Sequence, residues 1–108
     1  AAHNRALSSV REGVTGKEVD KAARDVIADA GYEEYFIHST GHGVGLFIHE
    51  SPTASARSEV LLKENMTLTI EPGIYIPERF GVRIEDLTIV KKDGCEDLNK
   101  VTKELILI

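Results

Sequence analysis

Three of the four histidines of this chain fall close together, and two glutamates follow them in stretches that the pattern predicts to be β-strands. The five residues are His38, His42, His49, Glu71 and Glu85. Glu85 shares its predicted strand face with leucine and isoleucine, where a carboxylate is expected to be partly buried and to need a partner or a metal. Imidazole and carboxylate together suit Mn, Co, Zn or Fe rather than Ca or Mg. These residue types therefore predict a divalent-metal site.

The same residues also have a simpler interpretation. A histidine beside glycine, such as His42, often serves only as a hydrogen-bonding group. Arg83 stands two positions from Glu85 on the same predicted strand face, so the two could form an ordinary salt bridge. The fourth histidine, His3, lies where a helix is expected to fray, and we expect it to be inert. Spacing alone leaves both interpretations open.

The elements that must position these residues begin with two predicted helices. A first helix is expected over residues 1–11. Apolar residues then recur at helical spacing from Val19 to Ala30, which predicts an amphipathic helix. Thr15 and Glu18 have the spacing of a capping box at its start, and Gly31 suits its end.

Strand patterns follow the helices. Strict alternation predicts a strand over Met66–Glu71, with Glu71 where Pro72-Gly73 interrupts it. A second strand is expected over Val82–Lys91, and the apolar run Glu104–Ile108 is expected to be a buried closing strand. Residues 51–64 are polar and are predicted to form a loop. Two helices followed by mainly antiparallel strands indicate the α+β fold class.

Several polar residues are expected to have no chemical role. Asp20, Asp25 and Asp29 decorate the second helix and are predicted to lie on its solvated face. Cys95 follows a turn-like stretch and precedes two acidic residues, which would raise the pKa of its thiol. We therefore expect a structural cysteine rather than a catalytic one.

Composition narrows the class of protein. The chain has 108 residues and a formal net charge of −5, which suits one small domain and disfavours nucleic acid as a partner. No apolar run approaches the roughly 20 residues of a membrane span, and no secretory leader pattern opens the chain. A single cysteine fits a reducing compartment, so we expect a cytoplasmic protein without membrane or nucleic-acid partners.

Three sequence blocks together resemble the signature of the pita-bread metallopeptidases. The blocks are residues 38–52, 69–75 and 81–86, and they occur in the family's order and spacing. The resemblance covers essentially the whole chain. The second and third blocks favour the Xaa-Pro dipeptidase and Xaa-Pro aminopeptidase branch over the methionine aminopeptidases. The fold that the resemblance implies is the carboxy-terminal half of the pita-bread (creatinase/aminopeptidase) fold.

The resemblance implies metal-assisted hydrolysis of peptides with proline in the second position. His42, Glu71 and Glu85 match metal ligands, and Glu85 matches the carboxylate that bridges two ions. The two divalent ions would be Mn, Co or Zn and would activate a water molecule against the peptide carbonyl. Glu71 is also expected to move a proton between that water and the leaving amine.

The resemblance also assigns residues on the substrate side. His49 matches a histidine that contacts the substrate and stabilises the tetrahedral intermediate. His38 matches a second substrate-side histidine of the Xaa-Pro branch, and Arg83 matches an arginine near the bridging carboxylate. These three residues and Glu71 are the predicted catalytic group.

Two aspartate ligands that precede the histidine in the family have no match before His42. We therefore expect residues 1–108 to form a single partial catalytic domain whose upstream half, with those aspartates, is absent. The isolated chain is expected to be inactive, and its unpaired sheet edge favours self-association into a homodimer. Three alternatives remain: a non-catalytic binding module with the same fold, a methionine aminopeptidase relative and a creatinase relative.

Overall fold

The computed structural model describes residues 1–108 and contains two α-helices, one short 3₁₀ turn and seven strands. The helices are α1 (Ala2–Ser9) and α2 (Gly16–Asp29), and the 3₁₀ turn is Glu33–Tyr35. The strands are β1 (Gly41–Gly43), β2 (Glu50–Ala54), β3 (Thr67–Ile70), β4 (Gly73–Ile76), β5 (Phe80–Arg83), β6 (Asp86–Lys91) and β7 (Gly94–Asp97). No helix is both long enough and apolar enough to span a membrane.

The ends of α2 follow from its sequence. The Thr15 side chain accepts a hydrogen bond from the Glu18 backbone N–H, and the Glu18 carboxylate accepts from the Thr15 N–H at 2.7 Å. These bonds satisfy two orphan donors of the first turn and lower the pKa of Glu18. Gly31 follows the helix with a positive φ of 81°, a conformation that glycine adopts readily. The predicted capping box and terminal glycine are confirmed.

All strand pairs are antiparallel, and they form three small sheets. β3, β6 and β7 form one sheet in the order β3-β6-β7, whereas β1–β2 and β4–β5 form two-stranded pairs. Both helices pack over this framework, and α1 lies against α2. The buried core joins helix and strand residues: Ala6, Val10, Val14, Val19, Ala23, Ile27, Phe36, Ala54, Leu62, Leu68, Ile70 and Val90. The predicted α+β class is confirmed.

Three predicted element boundaries are wrong. The stretch Val82–Lys91 is broken at Ile84-Glu85, because the chain leaves its pairing with β4 there and begins to pair with β3. Strand β2 occupies the first residues of the predicted loop 51–64, because residues 50–54 pair with β1. Glu104–Ile108 is not a strand, because no strand edge pairs with it and its side chains are exposed.

His3 is buried within α1, so the expectation that it lies in a frayed helix end is wrong. Only 6% of His3 is exposed, and its Nε2 lies 3.0 Å from Asp86 Oδ2. The same carboxylate, itself 1% exposed, lies 2.8 Å from Lys103 Nζ through its other oxygen. One buried carboxylate therefore contacts residues from both ends of the chain.

Candidate metal centre

Three potential metal ligands converge where the sheets meet. His42 lies on β1, Glu71 directly follows β3, and Glu85 lies in the break between β5 and β6. One ligand atom from each residue lies within 4.8 Å of the other two. His42 and Glu71 are partly buried, whereas Glu85 is exposed, so the expected partial burial of Glu85 is wrong. The break at Ile84-Glu85 explains this, because Glu85 no longer continues a strand face.

The imidazole of His42 has a defined orientation. Its Nδ1 lies 2.9 Å from the Gly43 carbonyl oxygen, which can only accept, so Nδ1 donates and Nε2 is the nitrogen that can bind a metal. Nε2 lies 3.0 Å from Glu71 Oε1. Either a proton on Nε2 or a cation bound to both atoms stabilises a nitrogen and a carboxylate oxygen at this distance. Ligand bonds of about 2.0–2.2 Å also place neighbouring donor atoms about 3 Å apart, so these residues fit a divalent ion.

The close approach of β1 to β3 sets the position of His42. A Cβ added to Gly41 would lie 1.7 Å from the Thr69 carbonyl oxygen, so only glycine allows the two segments to come this close. The His42 N–H donates to Thr69 Oγ1 at 2.9 Å, and the Glu71 N–H donates to the Thr40 carbonyl at 2.7 Å. Gly41 of the first block therefore permits this packing.

His38, Tyr75 and Arg83 form a second polar group beside the ligands. His38 Nε2 lies 2.9 Å from Tyr75 Oη, and Arg83 Nη1 donates to the same Oη at 3.5 Å. Arg83 Nε also lies 3.9 Å from Glu71 Oε2. The bond to Tyr75, with the charges of Glu71 and Glu85, raises the pKa of Arg83, which therefore stays cationic.

His49 completes the group from an exposed loop. Its ring stands edge-on to the His42 ring, with 4.4 Å between centroids. The open cleft between these groups has a volume of about 420 Å³. It is lined by His38, Ser39, Gly41, His42, His49, Thr53, Glu71 and Arg83. The structure thus brings the predicted site residues together, and Glu85 lies beside the cleft with a carboxylate oxygen within 4.8 Å of the ligand atoms of His42 and Glu71.

Sequence reasoning missed the groups that hold the loop before β1. Asp20 is 1% exposed, not solvated as predicted, and its Oδ1 accepts from the N–H and hydroxyl of Thr40 at 3.1 and 2.9 Å. Arg24 pairs with Asp20 and donates to the carbonyls of Phe36 and His38, each at 3.0 Å. The i,i+4 spacing of Asp20 and Arg24 was the available signal, but their loop partners could not be read from it.

Comparison with known proteins decides the family. A sequence model described as metallopeptidase family M24 matches residues 1–92. The chain belongs to metallopeptidase family M24. This is a family of divalent-metal peptidases, and the His42, Glu71 and Glu85 cluster offers a ligand set of the matching kind.

Curated M24 relatives are much longer than this chain. The chain is 52% identical over 105 residues to the Xaa-Pro dipeptidase of Pyrococcus horikoshii, covering 97% of this chain and 30% of that protein. It is 50% identical over 107 residues to the probable dipeptidase PepE of Mycobacterium tuberculosis, covering 99% and 28%. The chain therefore spans about 30% of the length of these relatives.

Solved M24 structures superpose closely on the chain. The Xaa-Pro dipeptidase from Bacillus anthracis matches with a TM-score of 0.97 at 50% identity, covering 99% of this chain and 30% of that one. The X-Pro aminopeptidase from Thermotoga maritima matches with a TM-score of 0.94 at 45% identity, covering 99% and 30%. The predicted pita-bread fold is confirmed.

Proposed function

We propose that this M24 chain contributes His42, Glu71 and Glu85 to a divalent-metal centre that hydrolyses peptides with proline in the second position. The observation that supports the proposal best is the convergence of the three ligand atoms within 4.8 Å. The dipeptidase names of relatives about half identical to the chain support the substrate class. The chain covers about 30% of the length of the first of these relatives. We therefore propose the activity for the whole protein and not for the chain alone.

The bound ions would supply Lewis-acid polarisation of the peptide carbonyl and a lowered pKa for the attacking water. His42 would bind through Nε2, because the Gly43 carbonyl engages Nδ1. Glu71 and Glu85 would contribute carboxylate oxygens. Mn is our first choice of metal, with Co and Zn as the other candidates.

The remaining cleft residues would act on the substrate. His49 stands on the exposed side of His42 and would donate a hydrogen bond to the developing oxyanion. Glu71 would move a proton from the water to the leaving amine. His38 would contact the substrate, and the cationic Arg83 would stabilise negative charge beside Glu71.

The proposal also covers the remaining metal ligands, the substrate, the compartment and the assembly. Two aspartate ligands would come from a part of the protein outside these residues, so the 108-residue chain alone would bind metal incompletely and be inactive. The substrate would be a peptide, the compartment cytoplasmic and the assembly a homodimer.

A calorimetric Mn²⁺ titration of the 108-residue chain tests the proposal. We expect about one ion per chain, and binding weakened at least about tenfold in His42→Ala, Glu71→Gln and Glu85→Gln. The matched control is Glu96→Gln, because this carboxylate lies on β7 outside the cluster.

Two results would contradict the proposal. Equal Mn²⁺ binding by the wild type and all three ligand variants would show that these residues do not form a metal centre. Tight binding of two ions per chain, together with Xaa-Pro hydrolysis, would disprove the claim that the isolated chain is incomplete and inactive.

A further inference from the structure

We infer that Thr69 is a positioning residue of the metal centre, because its hydroxyl joins the backbone of His42 to the carboxylate of Glu71. The inference rests on the proposed function, since it concerns the same ligands. Thr69 itself would not touch the ion. Its role would be to hold two ligands from different strands in the arrangement that binding requires.

The direction of the two hydrogen bonds follows from the chemistry of the groups. The His42 backbone N–H can only donate, and it reaches Thr69 Oγ1 at 2.9 Å. A hydroxyl carries a single hydrogen, which is therefore free to point at Glu71 Oε1, 3.0 Å away. Thr69 is 3% exposed, so water has little access to either bond.

The carboxylate oxygen that Thr69 binds is the one that faces the imidazole. Glu71 Oε1 lies 3.0 Å from His42 Nε2 as well as 3.0 Å from Thr69 Oγ1. A glutamate just beyond a strand end has several accessible rotamers, and ordering it costs free energy. The Thr69 hydroxyl selects the rotamer that directs Oε1 towards His42, so part of that ordering is complete before a metal binds.

Hydroxyl groups also take the place of strand pairing between β1 and β3. The two strands lie in contact but belong to different sheets. Thr67, on the same strand face, accepts from the Val44 N–H at 3.2 Å and donates to the Val44 carbonyl at 2.6 Å. Thr67 and Thr69, together with the backbone hydrogen bond from Glu71 to Thr40, thus fix where β1 lies along β3, and of the two threonines Thr69 also reaches a ligand carboxylate.

A calorimetric Zn²⁺ titration of the 108-residue chain tests the role of Thr69. Zn²⁺ binds nitrogen and oxygen sites more tightly than Mn²⁺, which leaves room to measure a loss. Thr69→Val keeps the shape and removes both hydrogen bonds, and it should weaken binding about 10- to 100-fold, as is usual for groups that orient metal ligands. Thr69→Ser keeps the hydroxyl and should restore the affinity to within about threefold of the wild type.

Thr88→Val is the matched control. Thr88 is fully buried on the adjacent strand β6, and its hydroxyl donates to the Leu68 carbonyl at 2.8 Å without contacting a ligand. Loss of this buried hydrogen bond should lower the thermal stability of Thr88→Val. Its Zn²⁺ affinity should stay within about twofold of that of the wild type. A purely structural role for Thr69 would make the two valine variants alike.

The outcomes separate the two proposals. Zn²⁺ binding by Thr69→Val within about twofold of the wild type, while His42→Ala loses binding, would overturn the role of Thr69 alone. Equal binding by the wild type and His42→Ala would overturn the proposed metal centre and this inference with it.

If Thr69→Val does not fold, proton NMR of the wild type tests the role of the Thr69 hydroxyl. In the wild type the Thr69 hydroxyl proton should exchange slowly with water and show a contact to the Glu71 side chain. A rapidly exchanging hydroxyl proton would overturn the inference.

Discussion

At the scale of single residues, the sequence predicted the groups of the cleft but not the groups that hold them. His42, Glu71 and Glu85 lie in motif blocks, and the structure brings them together. Asp20 and His3 were misjudged because their burial depends on distant partners, Thr40 and Asp86 respectively. A helical periodicity shows which face a residue shares but not which remote polar group reaches it.

Cys95 provides a test at this scale. Its thiol is half-buried, and burial, with a smaller contribution from the charge of Asp97, raises its pKa. Alkylation requires the thiolate, so the rate with iodoacetamide should be slow at neutral pH and reach half its maximum at a higher pH than for a free thiol.

The pH profile of the same chain in denaturant is the control for Cys95. Unfolding removes the burial, so the midpoint should fall to the ordinary thiol value. Identical midpoints for the folded and unfolded chains would contradict the burial argument.

At the scale of elements, local signals predicted helices better than strands. The capping box and Gly31 bound α2 as expected, because both act within a few residues. The break at Ile84-Glu85 had no local signal. It arises because β5 pairs with β4 and β6 pairs with β3, so the two halves of one alternating stretch belong to different strand pairs. The run Glu104–Ile108 similarly has strand composition without a strand to pair with.

The capping box of α2 can be tested by urea unfolding. Thr15→Ala should lower the free energy of unfolding by about 1 kcal/mol, because the Glu18 backbone N–H loses its acceptor. Thr15→Ser should retain most of the stability. Since the box lowers the pKa of Glu18, the carboxylate part of the stabilisation should be present above the ordinary glutamate pKa and lost at lower pH.

Ser8→Ala is the control for the cap. The Ser8 hydroxyl is exposed and bonds only to the Arg5 carbonyl within α1. A loss of stability in Ser8→Ala equal to that in Thr15→Ala would show that the effect is not specific to the cap.

At the scale of the whole molecule, two of the exposed apolar segments contain three or more apolar residues in a row. Leu46, Phe47 and Ile48 form one, with exposed fractions of 100%, 72% and 76%. The carboxy-terminal residues Leu105–Ile108 form the other. Exposed apolar patches commonly mark contacts with other protein surfaces. The predicted homodimer stays a prediction, and these segments are the first places to test it.

Removal of residues 105–108 should separate self-association from stability. The truncated chain should keep its thermal midpoint within about 2 °C, because these side chains make no buried contacts. It should also sediment with a lower average mass at high concentration than the full chain. Analytical ultracentrifugation and a thermal melt measure the two effects.

Lys103→Ala is the opposing control for the truncation. It removes the 2.8 Å contact to Asp86 Oδ1 and leaves the buried carboxylate with His3 alone, which should cost about 1–3 kcal/mol, a typical penalty for a buried polar atom that loses its partner. If the truncated chain has a thermal midpoint as low as that of Lys103→Ala, residues 105–108 pack against the rest of the chain.

The contacts of Asp86 with His3 and Lys103 also have a consequence for folding kinetics. The contact with His3 joins α1 to β6 and closes one of the longest loops in the molecule, whereas Lys103 lies much nearer to Asp86 in sequence. Long loops carry the largest closure entropy, so we expect this contact to form late, after the folding transition state. Loss of the His3 contact, as in His3→Ala, should therefore accelerate unfolding while the refolding rate stays almost unchanged.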